Sequence, residues 1–101
     1  MFTEIVTFKI PEEMDRDAVV ALYNKSVPSW QSNPHLIHKS FLYQPEQNVG
    51  GGVYLWDNLE AARESHGEAF RSRIADLFGS TPEFVYFETP LVIDNRAGKA
   101  A

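Results

Sequence analysis

A chain of 101 residues with a formal charge of −5, 44% apolar and 13% aromatic residues, and no cysteine has room for one domain and reads against disorder. The missing cysteine excludes disulfides, thiolate catalysis and cysteine zinc sites, and it fits a reducing compartment. The acidic balance argues against nucleic-acid partners, and no apolar run approaches the roughly 20 residues of a membrane span.

Met1-Phe2-Thr3-Glu4 shows neither the basic start nor the apolar stretch of a signal peptide, so the expectation is a cytoplasmic protein. Phe2 to Ile10 alternates, with Phe2, Val6, Phe8 and Ile10 on one face, and predicts a strand stopped by Pro11. From about Asp15, a candidate N-cap, the stripe Ala18, Val19, Leu22, Tyr23 and Val27 predicts an amphipathic helix. Pro28 should end or kink it, leaving Trp30 on a short extra turn.

Leu36 to Gln44 predicts a second strand. Gly50-Gly51-Gly52 then reads as a turn leading into a third strand, Val53 to Trp56. Asp57 followed by Glu60 has the spacing of a cap for a second helix, which carries Leu59, Ala62, His66, Phe70, Ile74, Leu77 and Phe78 and should kink at Gly67. Gly79 to Pro82 stops it, and Phe84 to Thr89 predicts the fourth strand. The domain should span residues 1–95, with a mobile tail over 96–101.

The order is β-α-β-β-α-β, an α+β, ferredoxin-like arrangement with a four-stranded antiparallel sheet and both helices on one face. A monomer would leave the other face wet, yet Phe84-Val85-Tyr86-Phe87 and Val53-Tyr54-Leu55-Trp56 are apolar on both faces. A second sheet from a twin subunit is the simplest cover, so a homodimer is expected.

Pro34, then Lys39 and Phe41 along a strand, then Gly51-Gly52-Val53-Tyr54-Leu55-Trp56 opening onto a helix, resembles the YdhR-type family of candidate monooxygenases. Pro90-Leu91 followed by Asp94-Asn95 agrees with the same pattern. The resemblance covers most of the chain and implies the dimeric α+β barrel superfamily, which includes the antibiotic-biosynthesis monooxygenases. It also implies oxidation of a phenolic or enolic substrate without metal or flavin. The haem-degrading relatives require an asparagine on the first strand and a Trp/His pair on the second helix. Neither is present, and haem degradation is disfavoured.

Such chemistry needs an apolar slot for a flat molecule and a base near neutrality. The slot should come from Trp56, Tyr54, Trp30, Tyr43 and Phe70 as substrate-binding residues. The base should come from His66, on the sheet-facing side of the second helix, with His38 on strand two reaching the same cleft. His35 is expected to cap a turn. His35 and His38, three apart on a strand, point to opposite faces and cannot chelate one metal. No metal cluster or phosphate loop is present, and no cofactor is expected.

The reading is a cofactor-independent monooxygenase acting on an aromatic or quinol-type molecule between sheet and helices. The rival is a non-catalytic ligand-binding or stress-response barrel with the same slot and no competent base. An isomerase or decarboxylase of this fold would need the base but no oxygen access.

Overall fold

The computed structural model describes residues 1–96 and the backbone of 99–100. The strands are β1 (Phe2–Lys9), β2 (Leu36–Gln44), β3 (Val49–Trp56) and β4 (Glu83–Glu88). The helices are α1 (Arg16–Gln31), α2 (Leu59–Ser65) and α3 (Glu68–Phe78). The sheet is antiparallel throughout, in the order β2-β3-β1-β4. A two-residue strand β5 (Ile93–Asp94) pairs with β6 (Lys99–Ala100). Residues 97, 98 and 101 of the expected tail lie outside the described residues.

This is the expected α+β, ferredoxin-like fold, with its helices on one face of the sheet. That face carries the core: Val6 and Phe8 from β1, Tyr54 and Trp56 from β3, Val19 from α1, and Phe70, Ile74 and Phe78 from α3. The opposite face exposes Val85 and Phe87. Among the described residues, no helix is long and apolar enough to cross a membrane.

Four local expectations are corrected. First, α1 passes through Pro28 to Gln31. The ring deprives only the carbonyl of Asn24, four residues earlier, of its partner, and exposed Asn24 leaves that group open to water. Trp30 is therefore held on the helix, above the sheet.

Second, Gly50, Gly51 and Gly52 are strand residues, paired with β1 and β2. Gly51 has φ 151°, and a Cβ there would stand 1.8 Å from the carbonyl oxygen of Val6. At Gly50 a Cβ would meet the Tyr23 hydroxyl at 2.4 Å. That hydroxyl donates to the Leu42 carbonyl (2.8 Å) and accepts from the Gly51 amide (3.1 Å), pinning α1 to the sheet. The glycines are needed for close approach across a strand, which gives the same signature as a turn.

Third, the second helix is capped by Asn58, whose Oδ1 accepts from the Ala61 amide at 2.8 Å, and not by Asp57. Fourth, the kink expected at Gly67 is a full break between α2 and α3, with His66 as the C-cap of the first segment.

Candidate active site

Glu4 is an acidic residue in the middle of β1 on its buried face, between Phe2 and Val6. Strand alternation alone sends it inward. Its Oε1 accepts from the indole Nε1 of Trp56 at 3.0 Å. The same oxygen lies 2.7 Å from Nδ1 of His66, a close polar contact rather than an aligned hydrogen bond. Both side chains are 0% exposed. Oε2 of Glu4 and both ring nitrogens of His66 have no hydrogen-bond partner.

The α2/α3 break is what brings His66 there. Its amide still donates to the Ala62 carbonyl at 3.1 Å, after which the backbone leaves helical geometry and the ring swings under α3. Asn33, just after α1, donates to the Ser65 hydroxyl at 3.0 Å and ties this corner down.

Aromatic rings enclose the imidazole. Phe70 (4.4 Å between centroids) and Tyr54 (4.5 Å) meet it edge to face, and Trp30 (5.3 Å), Phe84 (5.5 Å) and Trp56 (6.0 Å) complete the box. Burial, then the Glu4 carboxylate, then Tyr23 push the phenol of Tyr54 well above its ordinary value, so it stays protonated. Tyr86 on β4 is pushed up to about 12, by burial first and then by Glu4.

Hollows adjoin the box on two sides. His66 lines a groove of about 580 Å³ together with Arg63, Gly67, Glu68, Arg71 and Tyr86. On the α1 side, Trp30, Tyr54 and Phe70 line a narrow cleft of about 50 Å³, which adjoins a wider groove of about 350 Å³ beside edge strand β2.

The structure thus brings His66, Trp56, Tyr54, Trp30 and Phe70 together. His38 and Tyr43 lie elsewhere. A bulge between Leu36 and His38 sets His38 opposite Leu55, on the sheet face away from the helices, where it is exposed and borders only the β2-edge groove. The same bulge turns Leu36 inward beside Trp56, against strict alternation. Tyr43 faces α1 near the far end of β2, in a separate hollow with Arg16, Val20 and Asn24. His35 sits in a turn: its amide donates to Asn33 Oδ1 at 3.0 Å, and its ring meets Asp57 at 3.1 Å. Among the described residues no three His, Asp or Glu side chains gather as a metal site.

Sequence reasoning passed over two residues. Glu4 showed itself as a charge at an inward position of an otherwise apolar strand, a signal carried by the same alternation that identified the strand. Lys39 carries the equivalent signal on β2.

No family model and no curated protein sequence matches the chain. Solved structures do share its fold. A protein of unknown function from Nitrosomonas europaea superposes with a TM-score of 0.72 at 13% identity, covering 91% of each chain. SnoaB, a cofactor-independent oxygenase from Streptomyces nogalater, gives 0.65 at 14% identity over 91% of this chain and 95% of its own. A candidate antibiotic biosynthesis monooxygenase from Deinococcus radiodurans gives 0.63 at 14%, over 93% and 97%. All three share the α+β, ferredoxin-like fold of this chain.

Proposed function

We propose that this protein is a cofactor-independent monooxygenase that ionises a flat phenolic or quinol-type molecule held between sheet and helices and lets the anion react with dioxygen. The observation that carries the reading is the Glu4–His66 pair. A fully buried acid and imidazole, three of whose polar atoms lack hydrogen-bond partners, cost stability that an apolar pair of the same shape would not. Such a cost is found where chemistry uses the groups. Here they face aromatic walls able to stack on a planar ring, and His66, its side chain fully buried, borders an open groove. Imidazole is the proton acceptor in this scheme, and Glu4 fixes its orientation. Two neighbours of the same fold are described as oxygenases, which supports the reaction class.

The working form is a cytoplasmic homodimer. Exposed Val85 and Phe87, with half-buried Ile5, Val53 and Leu55, give the helix-free face a self-complementary apolar surface.

The test is oxygen uptake on a panel of hydroxylated polycyclic aromatics. His66→Ala should lower turnover of any substrate found by about 10²–10⁴-fold. Because emptying the site strands Glu4, His66→Gln serves as a second variant that fills the same space without an equivalent base. Turnover unchanged in a folded variant of either kind would overturn the assignment and favour the binding-barrel reading.

A further inference from the structure

On the helix-covered face of β2, opposite Tyr54, stands a lysine with no acidic neighbour in contact. The Nζ of Lys39 lies 3.9 Å from the ring centre of Phe41, 4.0 Å from that of Trp30 and 4.3 Å from that of Tyr54. Among the described residues it makes neither a hydrogen bond nor an ion pair. Lys39 borders both the narrow cleft and the β2-edge groove, whose walls include Val27, Trp30, Leu36, Ile37 and Phe41. Neither hollow is lined by an aspartate or glutamate, and Arg73 of α3 adds a second cation to the cleft. This is a basic, aromatic hollow in a chain whose net charge is −5.

We propose that Lys39 is the counter-ion of the bound substrate, gripping the oxyanion of a phenol or enol whose ring stacks against Trp30 and Phe41. The proposal rests on the reading of the protein as an oxygenase of ionised aromatics, and it names the residue that selects the anion. Three rings stabilise an ammonium through their faces but donate nothing to it, so its hydrogen-bonding capacity is kept for a ligand. Burial holds the amine down to about 7, partly offset by Glu4 on β1. The other titratable or charged groups around it are Tyr54 on β3, Tyr23 on α1, Arg73 on α3 and His38 on its own strand. A neutral phenol gives its proton to His66, in the role already proposed for that residue. When the neutral amine meets the phenolate it draws one proton from solvent: its lone pair forms the N–H bond, and the water that loses the proton leaves as hydroxide. The product is an ammonium–oxyanion pair shielded by aromatic rings, where the attraction is stronger than in water.

The probe is 4-nitrophenol, whose anion absorbs in the visible, with 4-nitroanisole as the same ring lacking the acidic oxygen. At pH 8 the probe is already its anion while most of Lys39 is neutral. Binding to the wild-type protein should therefore take up close to one proton, read by calorimetry in buffers of different ionisation heat. Lys39→Met should weaken 4-nitrophenolate binding about tenfold or more, abolish the proton uptake, and leave 4-nitroanisole binding nearly unchanged. Lys39→Arg should keep the anion affinity without proton uptake, since a guanidinium is always charged. Equal affinity for 4-nitrophenolate in Lys39→Met, no proton taken up by the wild type, or no binding of 4-nitrophenolate at all would each overturn the proposal. Its failure is separable from that of the oxygenase reading. Anion binding through Lys39 without oxygen uptake on any phenol removes the reading alone, and full turnover in Lys39→Met removes this inference alone.

Discussion

The two faces of the sheet are made from the same strands and from similar residues, yet they use polar groups in opposite ways. On the helix-covered face β1 contributes Glu4, Val6 and Phe8, and the acid is sealed beneath Trp56 and His66. On the bare face the same strand contributes Thr3, Ile5 and Thr7, with Val53, Leu55, Val85 and Phe87 alongside. A fold seeking only stability would put its charges on the wet side and keep its core apolar. This molecule does the reverse over several strands. The interior is built to hold charge at a cost, and the exterior is built to lose water. The first feature suits a reaction site and the second suits a surface that meets its own copy.

Truncation inside should be the more damaging by far. Trp56 is 0% exposed, stacks on Tyr54 and donates to Glu4. Trp56→Ala should lower the free energy of unfolding by about 3–5 kcal/mol, seen as an earlier urea midpoint at every protein concentration. A loss below about 1 kcal/mol would mean that the interior is not organised around this ring. A change outside should behave differently. Phe87→Asp places a carboxylate on each side of the two-fold interface expected for the bare face. It should weaken dimerisation by about 100-fold or more, equivalent to about 3 kcal/mol, while leaving the monomer folded. Sedimentation that finds a dimer of unchanged strength would show that the bare face is not the contact.

The same contrast explains what could be read from the sequence. The order of elements along the chain, the helical stripes and the apolar second face follow from periodicities of two and 3.6, which single residues display directly. The gathering of His66, Tyr54, Trp56 and Phe70 was legible because each lies on an inward stripe, whereas Trp30 was expected on a separate turn beyond Pro28 and joins them because α1 continues. His38 was misplaced because one extra residue in β2 reverses the pleat, and a bulge leaves no mark in composition. The glycines were misread because close cross-strand approach and turn formation select the same residue. Glu4 and Lys39 went unweighed because a charge within a strand is ordinarily assigned to the wet side. What reveals them is the partner across the sheet, and that is a tertiary fact.

The smallest expected effect sharpens the comparison, because it uses the same two residue types outside the core. His35 and Asp57 approach to 3.1 Å, much as His66 and Glu4 approach to 2.7 Å, but each side chain of the outer pair is about half exposed, at 50% and 47%. Water screens the attraction, and holding both side chains in one arrangement costs entropy, so an exposed pair contributes about 0.2–1 kcal/mol at most. The turn also has other supports. The Asp57 amide donates to the His35 carbonyl at 3.0 Å, Asn33 holds the His35 amide, and Asn58 caps α2, all without the imidazole. His35→Ala should therefore shift the unfolding midpoint by less than about 1 kcal/mol, and added salt should shrink even that difference. It should leave turnover of any phenolic substrate and 4-nitrophenolate binding at wild-type levels. A loss of several kcal/mol in His35→Ala would show that a histidine–carboxylate contact at this corner matters irrespective of burial. The cost assigned to the buried Glu4–His66 pair would then no longer distinguish a reaction site from ordinary scaffolding.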